Sequence, residues 1–262
     1  MIDTHIHILP GLDDGAPDDE AALEMARIAV EDGVTAMMVT PHMREGDYLN
    51  EKPEVLERVA EFRELLQREG VALRVEPGSE VHLGPRLVER IQEGRILTCG
   101  DAGVYLLLEC PYRTRPIRLE EIIFELKLAG ITPVLAHPER VRFFQEDLPR
   151  YEEALRLGAL GQLTSSSLLG TFGKSIQELS EKLVRRRLVH VLGSDAHDRR
   201  YRPPRLAAAR RRWAELDGEE SARRAVEDWP LALLRGEPIE PPPPLAEERP
   251  PGLWERLFGR KP

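Results

Sequence analysis

The chain is short of cysteine: 262 residues hold only Cys99 and Cys110. Two thiols cannot build a disulfide framework or a cysteine-rich zinc site, and they suit a reducing, cytoplasmic setting. Asparagine occurs once, at Asn50. Positive charge is in deficit, 37 Lys and Arg against 46 Asp and Glu for a net −9, so a nucleic-acid binder working through a broad basic face is not expected. A local positive pocket stays compatible with that balance. No apolar run is long enough to cross a bilayer, and Met1–His5 lacks a charged, leader-like start, so neither a membrane span nor a leader is expected. There is no internal repeat and no glycine-rich nucleotide motif.

What is present is enough apolar content, 41%, to fill a core, and 32% charged residues in which Arg outweighs Lys. That bias suits a thermophile and also GC-rich coding. Short apolar runs alternate with charged, helix-like stretches. Strands are predicted at Ile2–Leu9, Val34–Thr40, Ala72–Val75, Val104–Leu108, Thr132–Ala136, Leu160–Leu163 and Val189–Gly193. Between and after them, helices are predicted at Pro17–Asp32, Pro53–Glu69, Pro85–Glu93, Leu119–Ala129, Pro149–Leu157, Ser175–Arg187 and Pro203–Leu216. Seven strands alternating with helices imply an α/β fold with parallel pairing and right-handed crossovers, either a barrel or a doubly wound sheet. The composition changes at Gly236. Residues 1–235 read as one domain, and 236–262 as a stiff, solvated Pro-rich tail with one apolar segment at Leu253–Phe258.

The chemistry-bearing residues follow the strands. His5 and His7 are two apart on the first strand, so both imidazoles can face one ion. His42 follows the second strand, Glu80 the third, Glu109 the fourth, His137 the fifth, and Asp195 with His197 the last. Six of seven strands thus deliver a metal-ligand type at the carboxyl end, where a β/α barrel carries its active site. A Glu ending the run Leu106–Leu108 is costly to bury without a cationic partner. A His and carboxylate set without Cys suits manganese, iron or zinc, and so many ligands imply two or three divalent ions.

The segments Met1–Gly15 (with His5, His7, Asp13-Asp14-Gly15), Thr40-Pro41-His42, Gly78-Ser79-Glu80, Ala136–Arg140, Gly161–Lys174 and Ser194–His197 with Arg202-Pro203-Pro204 resemble PHP-domain (polymerase and histidinol phosphatase) proteins. Within them the chain is most similar to the tyrosine-protein phosphatases of bacterial capsule and exopolysaccharide operons, over about residues 1–235. The resemblance implies a distorted (β/α)7, TIM-like barrel holding three divalent ions. One would take His5, His7, Glu80 and Asp195; a second Glu80, Glu109 and His137; the third Asp14, His42 and His197, with Asp13 offering the same chemistry beside Asp14. Four carboxylates against three divalent ions leave two positive charges, which matches a phosphate dianion. The ions would polarise phosphoryl oxygens and turn a bridging water into hydroxide. Arg140 and Arg202 would clamp the phosphate, with Arg199, Arg200 and Arg205 as neighbours in the same register.

The implied activity is hydrolysis of protein phosphotyrosine, with a polysaccharide-biosynthesis tyrosine kinase bearing a tyrosine-rich tail as partner. The alternatives are a small-molecule phosphatase such as histidinol phosphatase, a PHP-type phosphodiesterase or DNA-end hydrolase, and a non-catalytic barrel. Cysteine-based phosphatase chemistry is excluded, because it needs Arg six residues after Cys and finds Tyr105 or Pro116 there. Cys110 is expected to pack behind Glu109, His190 to be structural, and His82 to sit either behind a ligand or on a surface loop. Ser165–Ser167 can be a phosphate contact or a polar turn. A homo-oligomer is compatible with all of this.

Overall fold

The structure, a computed structural model, describes residues 1–246. Its parallel strands are β1 (Ile2–Ile6), β2 (Ala36–Val39), β3 (His42–Arg44), β5 (Arg74–Pro77), β6 (Glu80–His82), β7 (Tyr105–Glu109), β8 (Thr132–Ala136), β9 (Leu160–Thr164) and β10 (Val191–Gly193); β4 (Tyr48–Leu49) pairs antiparallel with β3. They form a three-stranded sheet, β1-β2-β5, and a seven-stranded sheet, β10-β9-β8-β7-β6-β3-β4. The fold is mixed α/β with parallel sheets, as the alternating pattern implies.

Where one closed sheet is expected, the hydrogen-bond ladder divides. β2 runs on into β3, and β5 into β6, across Thr40-Pro41 and Gly78-Ser79. Pro41 has no N–H to give the ladder, and Gly78 lies so close to β2 that a Cβ would come within 2.7 Å of the Met38 side chain. The third strand accordingly lies at Arg74–Pro77, later than Ala72–Val75. The first ends at Ile6, before Leu9. β1 meets the segment after β10 through a bridge between Ile6 and Ala196, with Asp195 N–H donating to the His5 carbonyl (2.8 Å) and His7 N–H to that of Ala196 (2.9 Å).

The middle strands are mostly apolar because both faces are buried, the polar exceptions being Glu109, Thr132, Gln162 and Thr164. Leu106, Leu108, Leu135, Leu163 and Leu192 join a large cluster under the helices, while Tyr105, Leu107, Val134, Ala136, Leu160 and Val191 join a second one. That second cluster also holds Ile2, Ala36, Leu233 and Leu234, so the helix Trp229–Arg235 covers the amino ends of the strands. Helical structure over residues 219–235 and the β3–β4 hairpin were not predicted. The helix expected from Pro203 starts at Ala207, and the one expected from Pro17 starts at Asp19, where Asp18 caps it by accepting from Ala21 N–H at 2.9 Å.

The first part of the tail is largely exposed yet tethered. Tyr105 Oη donates to the Glu237 carbonyl (2.8 Å) and accepts from Ile239 N–H (3.1 Å), Ile239 packs on the second cluster, and Leu245 N–H donates to the Arg186 carbonyl (2.9 Å). Leu253–Phe258 lies outside the described residues. Among the described residues no helix is long and apolar enough to cross a membrane.

Candidate metal centre and phosphate site

The carboxyl ends of the strands bring the expected residues into one cluster. His5, His7, Glu80, Glu109, His137 and Asp195 are all buried, while His42 is partly and Asp14 largely open to solvent. Glu80 Oε2 lies 3.3 Å from His5 Nε2 and 3.4 Å from His7 Nε2. Asp195 Oδ1 lies 3.4 and 3.5 Å from the same nitrogens, which are themselves 3.1 Å apart. Around a cation with bonds of about 2.0–2.1 Å, tetrahedral ligand edges are about 3.3 Å, so these four atoms have the spacing of one coordination shell. Asp14 Oδ1 stands 3.4 Å from His42 Nε2 and 3.3 Å from His197 Nε2, a second convergence. Glu80 Oε1 reaches His137 Nε2 at 2.8 Å. His42 Nδ1 is 2.9 Å from Glu80 Oε2, and one atom from each of His42, Glu80 and Glu109 lie within 4.8 Å of each other. His7 also falls within that distance of Asp14, His42 and His197, so the groups share His7 and His42 as well as Glu80, where the sets implied by resemblance share Glu80 alone.

Asp13 and Asp14 have different surroundings. Asp13 Oδ2 accepts from His7 Nδ1 (2.7 Å) and His42 N–H (3.0 Å), and its Oδ1 accepts from Gly15 N–H (3.0 Å). It orients His7, whose Nε2 is thereby left facing Glu80. Gly15 has no room for a side chain, because a Cβ would sit 2.0 Å from the His7 carbonyl oxygen.

Gln162, which sequence reasoning passed over, does for His5 what Asp13 does for His7. Its Oε1 accepts from His5 Nδ1 at 2.8 Å and its Nε2 donates to Thr4 Oγ1 at 3.0 Å. Gly193 makes this possible: a Cβ there would meet Gln162 Nε2 at 2.6 Å and His5 Cβ at 2.8 Å. His82 donates to Glu109 Oε2 at 3.0 Å, which places it behind a carboxylate rather than on a free loop.

Charge is arranged accordingly. Burial opposes ionisation of Glu80 and Asp195, yet the facing imidazoles hold both carboxyls well below the usual range, with Arg202 and Arg140 adding to the effect at Asp195. Burial likewise opposes protonation of His42, but Asp14 and Glu80 outweigh it and hold it up at about 10. Glu80 Oε2, His42 Nδ1 and His137 Nδ1 are buried without any hydrogen bond. A buried carboxylate oxygen ringed by imidazole nitrogens, none in hydrogen-bond geometry with it, fits divalent cations better than protons. Asp195 and His137 also adopt left-handed backbone conformations, φ +52° and +35°, uncommon outside glycine and found where surroundings fix a functional side chain.

Arg140 and Arg202 converge on the outer oxygen of Asp195. Arg202 Nη2 donates to Oδ2 at 2.6 Å, and Arg140 Nη1 hydrogen-bonds the same atom. Arg140 is held over the rings of Tyr112 (5.0 Å) and Phe172 (4.6 Å), while Tyr112 stacks on His137 with centroids 5.0 Å apart. Both arginines line a cavity of about 630 Å³ with Asp14, His42, Glu109 and Tyr112. Arg199 and Arg205 instead pair with Glu24 and Asp32. Cys110 is buried in the larger core cluster, and burial pushes its thiol up to about 12. His190 is buried and accepts from Gly161 N–H at 2.9 Å, a structural arrangement. Ser165–Leu168 forms a helical turn in which Ser165 and Ser167 are buried.

A family model described as capsular polysaccharide synthesis, CpsB/CapC, matches residues 1–235. The tyrosine-protein phosphatase YwqE of Bacillus subtilis is 36% identical over 259 residues, 99% of either chain. A solved structure from work on YwqE and on CpsB of Streptococcus pneumoniae, described as metal-dependent tyrosine phosphatases, superposes with a TM-score of 0.90 at 35% identity, covering 95% of this chain and 100% of that one. A histidinol phosphate phosphatase from Lactococcus lactis shares the fold alone, with TM-score 0.54, 16% identity and coverage of 84% and 93%. The chain belongs to the capsular polysaccharide synthesis CpsB/CapC family.

Proposed function

We propose that the chain is a metal-dependent protein-tyrosine phosphatase, acting on a bacterial tyrosine kinase of polysaccharide biosynthesis in the cytoplasm. The observation that carries this reading is Asp195, one oxygen turned to His5 and His7 and the other to Arg140 and Arg202. It joins a cation-binding cluster to an anion-binding pair, inside a chain that resembles metal-dependent tyrosine phosphatases along nearly its whole length. Residues 1–235 are the catalytic unit and 236–262 an appendage. The two sheets are read as sectors of one distorted (β/α)7 barrel, with β1 and the Asp195–Ala196 segment as the seam.

The donor set would hold up to three divalent ions: one on His5, His7, Glu80 and Asp195, one on Glu80, Glu109 and His137, and one on Asp14, His42 and His197. Such ions, manganese first and iron or zinc otherwise, would supply the Lewis acidity for attack by water at phosphorus. The protein's own groups do the rest. Asp13 and Gln162 hold His7 and His5 with Nε2 facing inward. Arg140 and Arg202 bind the phosphoryl oxygens and stabilise the charge that builds on them during transfer to water. Stacking on Tyr112 and Phe172 keeps Arg140 from following the substrate out. No phospho-cysteine forms, because both thiols are buried and pushed up to about 12, so neither supplies a thiolate.

Metal-loaded protein should hydrolyse a phosphotyrosine peptide, lose that activity on chelation, and regain it on re-addition of manganese. His42→Ala should abolish turnover while circular dichroism stays unchanged. Activity on histidinol phosphate with none on the peptide would overturn the reading.

A further inference from the structure

The rim of the cavity is electrically lopsided. Beyond β7, directly after the cavity-lining Tyr112, the turn over residues 113–118 carries Arg113, Arg115 and Arg118 and no carboxylate. Arg118 is paired with Glu121 and Glu125 on its own helix. Arg113 and Arg115 are exposed, and among the described residues neither meets a carboxylate. Arg115 lies over the Phe143 ring at 5.3 Å, which fastens it beside the segment bearing Arg140. Ile117, in the same turn, is 79% exposed. On the other side, next to β1, the hollow beside His197 is lined by Asp14, Asp18, Glu20 and Asp198, and by Glu24 paired with Arg199. β2 with β3, and β5 with β6, separate the two sides in strand order. A chain with net charge −9 therefore keeps an unneutralised cationic wall on one edge of its site and an acidic wall on another.

We propose that the wall of Arg113 and Arg115 docks an acidic segment flanking the phosphotyrosine, so that carboxylates on one side of the modified residue make a better substrate. The proposal rests on the phosphatase reading and adds a direction to it. An extended peptide advances about 3.3 Å per residue, so acids two to four positions from the phosphotyrosine reach roughly 7–13 Å outward, over the turn that begins at Tyr112. Acids on the opposite flank meet Asp18 and Glu20 and are repelled. Exposed guanidinium–carboxylate pairs act mainly on encounter and are screened by salt, so the gain belongs in kcat/KM at low ionic strength and amounts to about tenfold.

The test uses the metal-loaded full-length chain with p-nitrophenyl phosphate and three phosphotyrosine peptides: neutral flanks, three Glu before the tyrosine, and three Glu after it. One acidic peptide should exceed the neutral one by about tenfold in kcat/KM and lose that lead as salt rises, while the other gains nothing. Arg113→Glu with Arg115→Glu should erase the lead and leave p-nitrophenyl phosphate turnover as in the parent. Equal rates on the three peptides, or a preference that survives the double substitution, overturns the docking surface alone. Inactivity of the parent on both p-nitrophenyl phosphate and the neutral peptide overturns the phosphatase reading, and the docking surface with it.

Discussion

At the scale of single residues, the site is built in two layers, and only one of them is visible in the sequence. The inner layer is legible because a His, Asp or Glu closing an apolar strand has few other reasons to be there. The layer behind it is not, since its members are common residues whose partners are far away in the chain. Gln162 reaches His5 across 157 positions, and nothing about a glutamine in Leu160–Thr164 announces that contact. The sequence favours Asp14 over Asp13 only by resemblance; the hydrogen bonds from His7, His42 and Gly15 occupy Asp13 and leave Asp14 facing two imidazoles. Removing Gln162 tests the outer layer. Gln162→Leu keeps the volume but frees His5 to rotate or to carry its proton on Nε2. Metal affinity measured by calorimetry is expected to fall about 10- to 100-fold with the fold intact. Gln162→Glu, which restores an acceptor, should recover most of it. Unchanged affinity in Gln162→Leu would remove that role.

At the scale of elements, propensity and pattern place most strands and helices but miss where a strand is interrupted. Thr40-Pro41 and Gly78-Ser79 read as strand ends, and the short strands that resume at His42 and Glu80 owe their existence to tertiary pairing of His42 with Glu80. Likewise nothing local marks β4, which exists only against β3. His190 shows an element-level consequence of burial. It precedes β10, and its Nδ1 accepts from Gly161 N–H just inside β9, so the ring must be neutral there. Burial pulls its pKa down to about 4 from 6.5. The unfolded chain therefore binds a proton that the folded one refuses between pH 6.5 and 4. The contribution is fully present above pH 6.5 and is lost as pH falls toward 4, about 3 kcal/mol in all. His190→Gln keeps an acceptor for Gly161 without titrating. Urea midpoints for the parent should drop more steeply from pH 7 to 4.5 than those of the variant, and parallel curves would remove His190 as the cause.

At the scale of the whole molecule, the two apolar clusters divide the labour. The larger lies between the helices and the sheets, and the second lies on the opposite face of the strands, below the ligands. The helix Trp229–Arg235, unforeseen because it sits where the composition turns toward the Pro-rich tail, pushes Leu233 and Leu234 against Ile2, Ala36 and Tyr105 at the amino ends. That stopper has a kinetic meaning. With the amino ends covered by hydrocarbon, substrate and products are expected to pass through the cavity at the carboxyl ends, which Arg140 and Arg202 line. If the phosphoryl group is held on the arginines, the dephosphorylated tyrosine sits outermost and is expected to depart first. On the proposed reading, inorganic phosphate would remain on Arg140 and Arg202, where the next phosphoryl group has to bind. Phosphate should therefore inhibit by competition, raising KM and leaving kcat untouched; a purely noncompetitive pattern would mean that phosphate binds without occupying the substrate's place and would overturn this order of release.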